Sequence, residues 1–337
     1  MHIKDYMSAV SRWRSHIMGF CTLAVIVYHS ELRFSSGPLS YLTNLLWEID
    51  IFFFLTGMGV YHSLCRDSRV LPYYKRRFMR IYPHYLPVII LYFLPVFILY
   101  TDGSNLALRM KEFIGNVTML GWFLKLDNQF NWYVPAVMVF YLASPLVVYL
   151  VRRCEGRALP MAGLLALLCL VQPLFFGSGK LIAISRAIAF VMGIAASALA
   201  ERGVKLKMSV PVMLLLSVVG NLINYYVNTL PVELSMHYGI CWYPAVLVVP
   251  GMLFMLCWFY DKCGKIPALG WINRMFELMG RYSLEGYLIN VLIYDVIARC
   301  KINVGSNFNW CLVMLGICVL SVLYGKLMEK VLKKCVL

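Results

Sequence analysis

The sequence predicts an all-α, polytopic bundle of transmembrane helices, and three observations carry that prediction. Hydrophobic residues make up 61% of the chain and charged residues only 14%, with a mean hydropathy of +0.73. A soluble domain is nearer half apolar and a quarter charged. The apolar residues fall in long runs parted by short polar stretches, as expected of helices that must satisfy their own backbone groups in lipid. The basic residues, 31 Lys and Arg against 16 Asp and Glu, gather in alternate short loops. In a soluble chain that excess would point to nucleic acid. Here it sets topology, because Lys and Arg favour the cytoplasmic side, and no nucleic-acid partner is expected.

Taken in order, Met1–Ser15 is short and basic (Lys4, Arg12, Arg14), which assigns it to the cytoplasm. HIMGFCTLAVIVYHS is the first span, with His29 at its far end. It lacks a small-residue cleavage site and is expected to be retained rather than removed as a signal peptide. The loop Glu31–Leu42 carries Arg33 and lies outside. The span Asn44–Cys65 returns inward into RDSRVLPYYKRRFMRIYP, read as a basic inner loop holding Arg66, Arg69, Lys75, Arg76, Arg77 and Arg80. A third span covers about Tyr82–Tyr100.

FIGNVTMLGWFLKL (113–126) is apolar but falls short of the roughly 20 residues that a spanning helix needs. Counting it as a span would put Arg152, Arg153 and Arg157 outside, so the charge rule favours a re-entrant or surface segment. The remaining spans are 133–151, 159–176, 181–200, 208–227, 239–260, 282–298 and 309–328. That gives about ten spans, both termini cytoplasmic, and about 23 of the 31 basic residues inside. DKCGKIPALGWINRMFELMGR is expected to form an amphipathic inner-face helix from near Pro267. Residues 1–337 show no repeat and no low-complexity tract, and are read as a single integral-membrane domain of a plasma or inner membrane. The 11 cysteines show no CxxC pair and no metal-ligand spacing, so neither a metal site nor a disulfide framework is expected.

Five stretches carry residues with chemical potential. His29 is ionisable within a span, which marks a functional position by default. An imidazole there can act as a base towards a hydroxyl, or simply cap a helix end. Glu48 and Asp50 lie on the same expected side, where Asp50 could orient His29 or pair with Arg33. The KRRFMR cluster suits a polyphosphate, because arginine matches phosphate oxygens with a planar fork. It equally suits anionic lipid or topology alone. Tyr82 and Tyr85 follow it and could pack on a base or ring. Trp132 and Tyr133 open the span at 133 and suit an interfacial belt or a sugar-stacking floor. Glu285 lies in an apolar span among Tyr282, Ser283, Tyr287 and Asn290, and needs partners there.

In this order the five stretches resemble the acyltransferase 3 family of integral-membrane acyltransferases. The matching segments are LAVIVYHS ending in His29, DIFFFLTG (50–57), RRFMRIYP (76–83), WYVPAVMVFYLASPL (132–146) and GRYSLEGYLIN (280–290). The resemblance implies transfer of an acyl group, usually acetyl, from acyl-CoA to a hydroxyl of a cell-surface or lipid-linked glycan. It implies that His29 is the essential histidine and that Arg76, Arg77 and Arg80 meet the CoA phosphates; on the residue reading above, Asp50 assists His29. Trp132, Tyr133 and Glu285 would then serve the acceptor. Departures from the family pattern are Met18 where an arginine is common, Thr56–Gly57 for Ser–Gly, no carboxylate after the Trp–Tyr pair, and Asn290 for His. Two routes are open: His29 as base towards the acceptor, or as a carrier of the acyl group. A span of about 20 residues is roughly 30 Å long, so the pantetheine arm would cover much of the membrane's depth. The rival from another class is a non-enzymatic transporter or flippase of a lipid-linked glycan; a third reading is an inactive family member serving as a membrane partner.

Overall fold

The computed structural model describes residues 1–30, 47–99, 102–155, 157–263, 266 and 269–336. The expected outer loop with Arg33, the first residues of the second span, and Pro267 lie outside the described residues. Helix α1 (Ile3–Arg12) buries Ile3, Tyr6, Met7 and Val10, the spacing of a one-sided amphipathic helix. It is followed by α2 (Arg14–His29), α3 (Glu48–Arg66), α4 (Val70–Leu99), α5 (Leu106–Val117) and α6 (Tyr133–Arg153). Next come α7 (Ala158–Val171), α8 (Leu181–Ile184), α9 (Ala187–Glu201), α10 (Val210–Thr229) and α11 (Val232–His237). The chain ends with α12 (Ala245–Cys263), α13 (Gly270–Arg281), α14 (Ser283–Arg299) and α15 (Asn307–Val336). Among the described residues there is no strand, only an isolated bridge between His2 and Lys207. The fold is all-α.

A helix lies at every position where hydropathy predicted a span. Among the described residues, 6 segments are long and apolar enough to cross a membrane: Val70–Ile98, Tyr133–Arg153, Leu181–Glu201, Val210–Thr229, Ile240–Cys263 and Asn307–Lys334. The others are shorter or more polar. Helix α2 has 16 residues and α14 has 17, α7 has 14, and α3 opens on Glu48 and Asp50 and ends on Arg66.

One expectation changes in detail. The Arg-rich stretch is not a loop: only Asp67–Arg69 interrupt the helices, and Lys75–Arg80 belong to α4. Asp67 holds the break by accepting the Arg69 backbone N–H at 3.2 Å, a local turn that short carboxylates favour. Beyond it, Pro72 is tolerated in the first helical turn, and Leu, Lys, Arg and Met all favour helix. The segment 113–126, which the charge rule reads as re-entrant or surface-lying rather than spanning, does not form a single helix. Helix α5 stops at Val117, Met119 and Lys125 adopt φ of 61° and 53°, and Gly121 N–H turns back to the Gly115 carbonyl at 2.7 Å. Asn116 fixes this turn. Its Nδ2 donates to the Glu112 and Asn128 carbonyls at 2.9 and 2.8 Å, and its Oδ1 accepts the Phe130 N–H at 2.8 Å.

The helices form two compact units. The first comprises Met1–Ala24, Ser35–Tyr73 and Ala143–Arg281, and the second Val25–Phe34, Tyr74–Leu142 and Tyr282–Leu337. In the first unit α3 and α9 cross with their backbones in close approach. A Cβ on Gly57 would stand 2.0 Å from the Phe190 carbonyl oxygen, and one on Gly193 would stand 2.1 Å from that of Phe54. Small residues of this kind let helices meet where lipid offers no hydrophobic drive. Gly57→Ala is therefore expected to force the pair apart and to cost about 1–3 kcal/mol. Thermal unfolding of the purified protein checks this, and an unchanged midpoint would contradict the crossing. Helix α13 is the expected amphipathic helix, beginning at Gly270. Its Gly280 lies against the Ser15 carbonyl of α2, while Trp271 is 64% exposed.

In the second unit, Tyr92 and Phe130 meet edge to face at 5.0 Å, and Phe113 packs on Phe93 and Phe97. The Tyr282 ring lies over Gly325 of α15. These aromatic contacts tie α4, α5, α14 and α15 around the polar residues described next.

Candidate active site

His29 is the last residue of α2 and is exposed. Its Nδ1 lies 2.9 Å from the Val25 carbonyl oxygen and 3.2 Å from the side-chain amide of Asn290. A carbonyl oxygen only accepts, so the contact with Val25 requires the proton on Nδ1. The amide orientation of Asn290 is an assignment, and its Oδ1 is otherwise buried without a partner. Turning the amide lets that oxygen accept from the same N–H and removes the conflict. The neutral ring then keeps its lone pair on Nε2. The Tyr294 ring stacks on the imidazole at 6.4 Å and 25°, and its hydroxyl donates to the Ile26 carbonyl at 3.1 Å. Helix α14 thus fixes the end of α2 at two points.

The second unit contains His29, Arg76, Arg77, Arg80, Trp132, Tyr133 and Glu285. Arg76 and Arg80, one helical turn apart, share an exposed face of α4. Arg77 is turned inward, 9% exposed, with its guanidinium 5.1 Å over the Tyr141 ring. Tyr82 stacks on Phe78 at 4.5 Å. Tyr85, expected to be available to a ligand, is instead a core residue: it is 1% exposed and its hydroxyl donates to the Asn116 carbonyl at 3.1 Å.

Trp132 and Tyr133 meet edge to face at 6.0 Å, both half-buried, and Tyr133 packs on Tyr287 of α14 at 4.8 Å. Glu285 is 5% exposed and its Oε1 stands 2.6 Å from His84 Nδ1. Sequence reading missed His84. The signal was present: a second ionisable residue within a span, which must find a partner there.

Asp50 belongs to the first unit. Both of its oxygens face Arg186 Nη1, at 3.0 and 2.8 Å, and the two side chains are 3% and 9% exposed. The Arg186 guanidinium also lies 5.5 Å from the Trp242 ring. Arg186 immediately precedes α9, and sequence reading did not single it out. Arg14, at the start of α2, rests its guanidinium against Gly59 of α3.

This arrangement offers a basic imidazole nitrogen at a helix end, a cationic helical face and an aromatic pair. The acyltransferase-domain model of the acyltransferase 3 family matches residues 17–325. Searches of curated proteins and of solved structures return no match. The match covers every stretch that carries these residues and nearly the whole chain, and the chain belongs to the acyltransferase 3 family.

Proposed function

We propose that the protein is a membrane O-acyltransferase that moves an acyl group, most simply acetyl, from acyl-CoA to a hydroxyl of a cell-surface or lipid-linked glycan. The observation that carries this reading is the 2.9 Å contact of His29 Nδ1 with the Val25 carbonyl oxygen; a carbonyl only accepts, so the proton sits on Nδ1 and the neutral ring keeps its lone pair on Nε2. In the proposed step Nε2 takes the proton of the acceptor hydroxyl as its oxygen attacks the thioester carbonyl. The carbon–sulfur bond breaks as the ester forms, and the departing CoA sulfur receives the proton from the imidazolium. Asn290 and Tyr294 hold the ring in place. Asp50, with both oxygens on Arg186, is proposed to hold α3 to α9 within the first unit.

Arg76 and Arg80 are the proposed partners of the CoA phosphates, since their shared exposed face can meet two phosphate groups at once. Arg77 supports that face from behind, on Tyr141. Trp132 and Tyr133 offer a sugar ring a stacking surface, with Glu285 anchoring the neighbouring turn of α14 through His84. The plasma or inner membrane is the proposed location, with about ten spans and both termini cytoplasmic.

The donor assignment is tested by steady-state kinetics of the reconstituted protein with acetyl-CoA varied. Arg76→Gln with Arg80→Gln is expected to raise KM for acetyl-CoA by at least about ten-fold, as each charge-assisted hydrogen bond contributes roughly 1.5–3 kcal/mol. At saturating donor kcat should change little. A fall in kcat with KM unchanged would remove the arginines from donor binding.

A further inference from the structure

A cavity of about 600 Å³ lies within the first unit, where α3, α6 and α9 end and α4 begins. Its lining combines apolar Leu64, Val70 and Val148 with the cationic side chains of Arg152, Arg153 and Arg202. The acidic residue lining it, Glu155, is engaged by Arg157 at 3.3 Å. The Arg153 guanidinium lies 5.1 Å from the Tyr149 ring. Arg202 donates to the Arg152 backbone carbonyl, which is how a cation caps a helix C-terminus. Capping therefore accounts for Arg202. Arg152 and Arg153 lie in the last turn of α6 and remain exposed beside the apolar lining, open to an anion.

We infer that this cavity binds an anionic phospholipid, with the phosphate on Arg152 and Arg153 and the upper part of an acyl chain along Leu64, Val70 and Val148. Charge and shape together select that ligand. A phosphate without a tail would leave the apolar lining in water, and a zwitterionic headgroup would bring a second cation to the arginines. Basic recesses between membrane helices suit such headgroups, and each arginine near an anionic surface contributes about a five-fold gain in affinity. The site uses none of the residues proposed for donor or acceptor.

The test uses the full-length protein purified in detergent and exposed to dioctanoyl phosphatidylglycerol, dioctanoyl phosphatidylcholine, glycerol 3-phosphate or acetyl-CoA. Native mass spectrometry reports bound lipid and thermal unfolding reports stabilisation. Phosphatidylglycerol is expected to bind and raise the midpoint, while phosphatidylcholine and glycerol phosphate do neither, and acetyl-CoA fails to displace the bound lipid. Arg152→Gln with Arg153→Gln is expected to weaken phosphatidylglycerol binding roughly 25-fold while leaving the lipid-free midpoint unchanged. Equal binding of phosphatidylcholine, displacement by glycerol phosphate or acetyl-CoA, or undiminished binding by the double variant would each overturn the assignment. The wild-type competition decides the matter even where the double variant fails to accumulate.

Discussion

His29→Ala is expected to lower acyl transfer from acetyl-CoA by about 10²–10⁴-fold, the usual contribution of a positioned acid–base group. The loss should fall on kcat, because the imidazole acts on the proton in flight rather than on the bound donor. His29→Gln sharpens the test. A glutamine amide can still donate to the Val25 carbonyl and so preserves a capping role, but it cannot take up a proton at neutral pH. Equal loss in both variants, at equal protein level in the membrane, marks proton transfer. Recovery of activity by glutamine would reduce His29 to a helix cap. Asn290→Ala should act in the same direction with a smaller effect, since the Val25 contact still holds the tautomer.

Arg186→Met should be the most destabilising single change in the first unit. Both Asp50 oxygens lose their partner, and a carboxylate 2% exposed is left uncompensated in the interior. Breaking a buried pair from one side costs about 3–5 kcal/mol, a large share of the roughly 5–15 kcal/mol that separates folded from unfolded states. The variant is expected to accumulate poorly and to unfold at a much lower temperature. Adding Asp50→Asn removes the stranded charge and should restore most of the loss, although the Arg186 contact with Trp242 is not regained. A single variant within about 0.5 kcal/mol of wild type, the range of ordinary surface changes, would contradict the ion pair's role in holding α3 and α9.

Helix positions were legible because lipid allows few alternatives: an apolar run of span length must satisfy its backbone internally. The charge rule spoke to the segment 113–126 only through which side of the membrane it implied for Arg152, Arg153 and Arg157. It could not show that Asn116 would draw the chain back through side-chain bonds to Glu112, Asn128 and Phe130. The basic stretch at 66–80 read as a loop because charge in a membrane protein suggests an interface. Charge does not forbid a helix from starting there, and α4 does.

The candidate site was legible where a single residue carries its own signal. His29 and Glu285 stood out as ionisable residues within apolar runs, and Trp132–Tyr133 as an aromatic pair at a span's edge. Partners were not legible, because they come from distant parts of the chain. Asn290 lies far from His29 in sequence, as Arg186 does from Asp50 and His84 from Glu285. Composition gives no register between helices, so it could not foresee that Arg77 and Tyr85 would face the interior while Arg76 and Arg80 face outward.

The most direct test of the central claim is to supply acetyl-labelled acetyl-CoA to membranes with and without the protein and follow label into alkali-labile esters of envelope glycan. The account predicts labelled ester that depends on the wild-type protein and is lost with His29→Ala. Glycan whose export depends on the protein while its labelling does not would contradict it, and would identify a transporter instead.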